Sequence, residues 1–362
     1  MTSGIPELNA VSRVIGDLRR GMPVVLDGGG AALLVSAAES GGDPQWLDRL
    51  SGNTASLLIP ASRARALGLN PAQSQVVSVA PEAGLTIDGV AALIGATDAL
   101  PAQQSSIDIA DASDRLQIAA VDLVKLARLL PAALAAPVTG DAAAFARRED
   151  LLAATLDNIG HYRRAAGELL QSEISAQIPL QGAENTRMVA FRPADGGKAH
   201  FAIIVGDPDP NTSVLVRLHS ECFTGDLLGS LRCDCGDQLR GAVAAIAAAD
   251  GGILLYLAQE GRGIGLTNKL RAYRLQDNGF DTMEANEALG FGADERVYAP
   301  AAQILLRLGF TQIRLMTNNP AKMSALASHG IEITARIPHA FPSNGHNEHY
   351  LQTKATRGGH LF

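Results

Sequence analysis

The 362-residue chain carries 30 Lys and Arg against 37 Asp and Glu, a formal charge of -7, with 47% hydrophobic, 19% charged and 4% aromatic residues. That balance describes a globular protein and excludes disorder; its sign excludes a nucleic-acid surface, and so few aromatics exclude a base-stacking platform. No basic-then-apolar leader opens the chain and no run of 18 apolar residues spans a bilayer, so a cytoplasmic protein without membrane contact is expected.

At roughly 150 residues per domain, the length predicts two domains. Val11, Val14, Ile15 and Leu18 share one face of an amphipathic helix that stops at Gly21. Met22 to Leu26 reads as a short buried strand, Gly28 to Gly30 as a turn, and Ala31 to Val35 as a second apolar run. The Ala- and Leu-rich stretch from Leu116 to Ala136, cut by Pro131 and Pro137, predicts short helices, and Arg147 to Leu170 predicts a helical end to the first domain. The polar stretch Gln171 to Asn185 is expected to enter the second, giving domains 1–172 and 173–362.

Beyond that point strands and helices alternate, which predicts an α/β domain. Strands are expected at Phe201–Val205, Val214–Leu218, Ile253–Leu257, Ile313–Met316 and Ile331–Ile337. Helices are expected around Leu239, Val243 and Ile246, over Asn268–Gln276 and Ala301–Leu308, and from Pro320.

All three cysteines, Cys222, Cys233 and Cys235, fall in HSECFTGDLLGSLRCDCGDQ with the spacing C-x10-C-x-C. An odd number in so short a span is no disulfide framework. Three thiolates without a fourth protein ligand suit a catalytic zinc, which keeps one position open for water, better than a closed structural site.

Arg217, Glu221 and Gln238 surround this segment. A guanidinium there can grip a phosphate bidentately and a carboxylate can accept from a purine edge, although each is equally at home in a surface ion pair. His219 lies on the same strand face as Arg217 and Glu221 and reads as well as a structural histidine. Gln259-Glu260-Gly261-Arg262-Gly263-Ile264-Gly265 follows a strand and opens a helix, where glycines allow close backbone approach and helix N-terminal amides favour phosphate. Asp294-Glu295-Arg296 alone reads as a solvated acid–base pair. In Thr317-Asn318-Asn319-Pro320-Ala321-Lys322 a strand ends, Asn319 caps and Pro320 takes the first helical position, aiming donors at an anion.

Taken together, the run from Arg217 through Arg296 to the end, with RVYAPAAQILLRLGF, MTNNPAK and NEHYLQTKATRGGH, resembles GTP cyclohydrolase II of riboflavin biosynthesis. The resemblance implies that Cys222, Cys233 and Cys235 hold one Zn²⁺. It also implies that Arg217, Leu218, His219, Ser220, Glu221, Gln238, Glu260, Gly261, Arg262, Thr282, Thr317 and Lys322 contact GTP, with Mg²⁺ on the pyrophosphate portion. Asp294 is then the proton acceptor, Tyr273 a further proton-transfer residue, and Arg296 either a nucleophile towards the α-phosphorus or a clamp on its charge. A homodimer is expected.

The opening, with Arg20 to Asp27 and later Ala37-Ala38-Glu39, is similar to 3,4-dihydroxy-2-butanone 4-phosphate synthase. Where that family carries an acidic metal-binding loop, this chain has Gly28-Gly29-Gly30-Ala31-Ala32, whose side chains offer Mg²⁺ no oxygen. The expected architecture is thus two α/β domains, a degenerate synthase-like one and a GTP cyclohydrolase II-like one. A bifunctional enzyme and a non-catalytic zinc-stabilised regulator are the competing readings. Zinc nucleobase deaminases fit less well, because their His-x-Glu and Pro-Cys-x-x-Cys spacings are missing.

Overall fold

A computed structural model describes residues 5–81, 84–95, 107–165, 167, 169–342 and 345. The motif Asn347 to His360 lies outside them. The described residues contain no helix long and apolar enough to cross a membrane. Two compact units emerge, Met1–Arg164 with Thr267–Glu295, and Ala165–Leu266 with Arg296–Phe362.

In the first unit the strands are β1 (Val24–Asp27), β2 (Ala32–Ala37), β3 (Ser56–Pro60), β4 (Val76–Pro81), β5 (Ile107–Ala112), β6 (Ala133–Val138) and β7 (Ala153–Thr155). They form one sheet in the order β5-β4-β3-β6-β2-β1-β7, with only β1 and β7 parallel. The amphipathic reading of the first helix, Ile5–Arg19, holds, since Leu8, Val11, Val14, Ile15 and Leu18 are all buried. Helix Arg115–Leu126 contributes Leu116, Ala120, Leu123 and Val124 to the core.

Two expectations change. The Ala- and Leu-rich stretch gives only that one helix, and Ala133 to Ala136 becomes the fully buried strand β6 between β3 and β2. Burial between neighbouring strands overrides the helical leaning of alanine and leucine. The helical run over Arg147 to Leu170 is likewise broken, into helix Ala142–Arg148, strand β7 and helix Leu156–Ala165, with Asp150 in a left-handed turn at φ 54° between them.

The second unit holds β8 (Leu170–Gln177), β9 (Thr186–Pro193), β10 (His200–Val205), β11 (Val214–Ser220), β12 (Gly252–Leu257), β13 (Gln312–Met316) and β14 (Glu332–Ile337). Their order is β14-β13-β11-β12-β10-β9-β8; β14, β13, β11 and β12 run parallel and the remaining pairings are antiparallel. The first half of the polar stretch expected to be a passage between domains is β8, an edge strand exposed along nearly its whole length. Exposure on both faces removes the apolar alternation by which a strand is read.

Alternation along β11 divides the core. Val214, Val216 and Leu218 pack with Ala301, Ile304 and Leu305 of helix Ala299–Arg307. Leu215 faces the opposite way, with Ala242 and Ile246 of helix Cys235–Ala248. By the period of two, Arg217 and His219 share the side of Leu215, beneath the helix that begins at Cys235.

The units differ from the expected 1–172 and 173–362 in two places. Residues 165–172 join the second unit, because Leu170 begins β8. Residues 267–295 join the first, where helix Thr282–Ala288 packs on helix Ala61–Ala66.

Candidate active site

The carboxyl ends of parallel strands are where loops of an open α/β sheet can converge on a ligand. Here β11 runs out at Ser220 into Glu221 and Cys222, β12 at Leu257 into Gln259 and Glu260, β13 at Met316 into Thr317–Asn319, and β14 at Ile337 into His339. The register aligns these ends, with Ser220 opposite Leu257, Arg217 opposite Met316, and Met316 opposite Ile337.

Cys222 is carried on the end of β11, while Cys233 and Cys235 stand at the entrance of helix Cys235–Ala248. The three sulfurs lie within 4.8 Å of one another, and among the described residues they form the one such cluster of metal-ligand type. Cys222 Sγ and Cys233 Sγ are 3.8 Å apart, and the Gly225 amide donates to Cys222 Sγ at 3.3 Å.

Hydrogen bonds from Cys222 and Cys233, then burial, push the Cys235 thiol well above its ordinary range, and the hydrogen bond from Cys222 pushes Cys233 up. Three thiols this close resist ionising together, and a divalent cation reverses that by coordinating the thiolates. The donor set therefore fits zinc. Gly225 completes the cradle, for a β-carbon there would stand 2.8 Å from Cys233 Sγ and 3.0 Å from Cys222 Sγ.

A buried carboxylate, Asp226, locks this loop to the sheet. Its Oδ2 accepts from the Cys222 amide at 3.0 Å and from the Tyr256 hydroxyl at 2.9 Å, and both its oxygens lie 3.0 Å from His219 Nε2. The His219 and Tyr256 rings stack at 5.6 Å. Burial and then the Asp226 charge push the Tyr256 hydroxyl well up. Glu260 holds the same loop from the other side, accepting from the Phe223 amide at 2.6 Å and the Gly261 amide at 3.0 Å.

Arg217 is 5% exposed. Its Nη1 donates to Met316 O at 3.0 Å and its Nη2 to Gln238 Oε1 at 2.5 Å, while Nε has no hydrogen-bond partner. Burial pulls its pKa down to about 10, against the opposing pull of Asp234 and Cys235; the nearby Arg296 charge adds to the lowering. Gln238 in turn donates to Asp234. Lys322 is buried with Nζ on Leu218 O at 3.1 Å, and Thr317 Oγ1 accepts from the Asn319 amide at 3.0 Å. Gly261 and Arg262 both sit in the left-handed region, at φ 63° and 60°, a strain that a non-glycine residue tolerates where its surroundings impose it. Leu218 is buried, whereas Ser220 and Glu221 are partly exposed, Glu221 lying 3.6 Å from Lys198 Nζ.

The second unit thus gathers Arg217 to Glu221, the three cysteines, Gln238, Glu260 to Arg262, Arg296, Thr317 and Lys322. Tyr273, Thr282 and Asp294 are carried by the first. Tyr273 lies on helix Leu266–Asp277 with Lys269 Nζ 5.8 Å from its ring, Thr282 follows the capping residue Asp281, and Asp294 is exposed. Sequence reasoning missed Gly225, Asp226, Tyr256 and His339, and gave Asn318 no role of its own within its motif. Gly225 and Asp226 had a local signal, lying between the cysteines; His339 Nε2 reaches Gln238 O at 2.9 Å and Asn318 bonds the His339 backbone twice, pairings made 21 residues or more apart.

In the first unit the Gly28–Ala32 turn closes on itself, Gly28 donating to Ala31 O and Gly29 to Asp27 Oδ1.

Residues 171–338 match the family model of GTP cyclohydrolase II. The chain is similar to GTP cyclohydrolase-2 of Azospirillum brasilense, 52% identical over 368 residues, which cover 98% of this chain and 94% of that protein. It is 43% identical over 253 residues to riboflavin biosynthesis protein RibBA of Endomicrobium trichonymphae and 44% identical over 253 residues to that of Bacillus mycoides. Those matches cover 67% of this chain but 62% and 64% of the relatives, so they span less than two thirds of either. A solved structure of RibBX, a two-domain 3,4-dihydroxy-2-butanone 4-phosphate synthase from A. baumannii, aligns over 91% of this chain and 99% of that one, at 18% identity and a TM-score of 0.35.

Proposed function

We propose for this chain, which belongs to the GTP cyclohydrolase II family, the zinc-dependent opening of the guanine ring of GTP to 2,5-diamino-6-(5-phosphoribosylamino)pyrimidin-4-one, formate and pyrophosphate. The observation that carries the metal assignment is the cradle of three sulfurs within 4.8 Å, closed by Gly225 at the carboxyl ends of parallel strands. Held by these sulfurs, zinc would supply Lewis acidity and activate water near neutral pH.

The protein's own groups do the rest. Cys222, Cys233 and Cys235 hold the metal; Asp226 and Glu260 fix the loop that presents Cys222. Glu221 is partly exposed and takes the purine edge by accepting its N–H groups. Arg262 and Lys322 counter the triphosphate, with Mg²⁺ on the departing pyrophosphate. Arg296 clamps charge developing at the α-phosphate, since a guanidinium stays protonated and serves as a donor. Asp294 accepts a proton, and Tyr273 relays one. Arg217 is buried and donates to the partly exposed Gln238, and the two contact GTP from the floor of the site.

We place the active enzyme in the cytoplasm as a homodimer, where a reducing environment keeps three metal-binding thiols free. The first domain is a degenerate synthase fold without a carboxylate-rich metal site at Gly28 to Ala32.

The test is one assay on the full chain with GTP, zinc and Mg²⁺, measuring formate, pyrophosphate and pyrimidine product separately, with metal analysis. One zinc per chain and equimolar formate and pyrophosphate are expected. Full activity and full zinc in Cys233→Ser would overturn the reading.

A further inference from the structure

Residues 267–295 are held by side chains of residues 1–164 at three places. At its start, Arg271 Nη1 meets Glu39 Oε1 at 2.6 Å, while Glu39 Oε2 accepts from the Leu130 amide at 2.6 Å; Asn268 Nδ2 adds a bond to Arg128 O at 3.3 Å. In its middle, Arg63 Nη1 donates to Ala288 O at 2.8 Å. At its end, Lys125 Nζ meets Glu295 Oε1 at 2.7 Å, and the same oxygen accepts from the Gly292 amide.

The middle tie is the most specific. Arg63 is 8% exposed, and its other bonds run to Leu93 O at 2.7 Å and Ala92 O at 3.4 Å. Its three acceptors are thus the last-turn carbonyls of helix Ile87–Ile94 and of helix Thr282–Ala288. Both helix ends carry partial negative charge and unpaired carbonyls, and a planar fork with five N–H groups can serve both at once. Close packing reinforces the tie, because a β-carbon on Gly290 would come within 3.2 Å of Pro60. A buried cation spent on three backbone carbonyls fixes where one helix ends relative to another.

We infer that the first unit serves as the scaffold of segment 267–295, with Glu39, Arg63 and Lys125 as positioning residues for Tyr273, Thr282 and Asp294 in GTP turnover. This rests on the function proposed above. It gives the first unit a task in the reaction that needs no synthase chemistry: Glu39, Arg63 and Lys125 touch no substrate and act through the residues they hold.

The experiment uses the full chain and the variants Arg63→Met, Arg63→Lys, Lys125→Met and, as a control on the underlying reading, Asp294→Ala. Zinc content, kcat and KM for GTP, and hydrogen exchange of the amides from Ala285 to Phe291 are measured for each. Arg63→Met is expected to keep its zinc, speed exchange over Ala285 to Phe291, and lose kcat by about a hundredfold, the scale of a misplacement of about 1 Å. Arg63→Lys, which keeps the charge and part of the donor set, should recover an intermediate kcat. Faster exchange with an unchanged kcat in Arg63→Met overturns the inference. If Arg63→Met loses zinc or global protection, Lys125→Met decides: reduced kcat with full zinc supports the inference, and unchanged kcat overturns it. Near wild-type turnover in Asp294→Ala would instead overturn the catalytic reading of that residue, so the two failures are distinguishable.

Discussion

Gly225 and Cys233 approach so closely that a β-carbon on the glycine would stand 2.8 Å from the Cys233 sulfur, at a position where the glycine has no need of a left-handed backbone. Space, and not conformational freedom, demands glycine there. Gly225→Ala should fold, because the site lies at the end of the sheet and outside its core, yet bind little zinc and open little GTP. Metal analysis checks this, and wild-type zinc in the variant would show that the loop can yield.

Asp226→Asn should weaken zinc binding by about 10- to 100-fold, the usual cost of losing a group that orients a metal ligand. The carboxylate receives the Cys222 amide, the Tyr256 hydroxyl and His219, and an amide presents only one acceptor oxygen to them. Competition with a graded chelator gives the number. Tyr256→Phe, which removes one of the donors, should show a smaller effect in the same titration.

Arg217→Met should destabilise the fold by about 1–3 kcal/mol by leaving the buried acceptor Met316 O without this partner, and by less through the partly exposed Gln238 Oε1. Urea unfolding measures it. A variant as stable as the wild type but with a greatly raised KM would instead make Arg217 a direct substrate ligand.

Burial, and then the Arg217 charge, holds His339 below its ordinary pKa; His219 acts the same way, while its bond to Gln238 O and the Asp234 charge oppose the shift. The unfolded chain therefore binds this proton more readily than the folded one. Its contribution to stability is complete above the unfolded value of about 6.5 and is lost as pH falls through the lower folded value. His339→Gln should flatten the stability profile below about pH 6.5. Identical acid limbs in variant and wild type would refute the assignment.

The full chain should form no 3,4-dihydroxy-2-butanone 4-phosphate from ribulose 5-phosphate with Mg²⁺ present. A reaction that abstracts protons and stabilises enediolate charge needs carboxylate oxygens around the metal, and Gly28 to Ala32 carry none. Detectable product would restore the bifunctional reading.

Local spacing in the chain already marked the sulfur cluster, since C-x10-C-x-C holds all three cysteines, and short apolar runs marked β10 to β13 because most residues of these strands are buried. The first helix was equally plain, its Val11, Val14, Ile15 and Leu18 face being fully committed to the core. Tertiary structure alone decided that Ala133 to Ala136 is a strand, because its hydrogen bonds and burial come from β2 and β3, far off in the chain. It alone brought Arg217 Nη1 and Nη2 to Met316 O and Gln238 Oε1, and the Glu260 carboxylate to the Phe223 amide. The allegiance of residues 267–295 is the same kind of fact: Arg63 and Ala288 are 225 positions apart, and no period in the sequence records a bond whose two halves meet only when the chain folds.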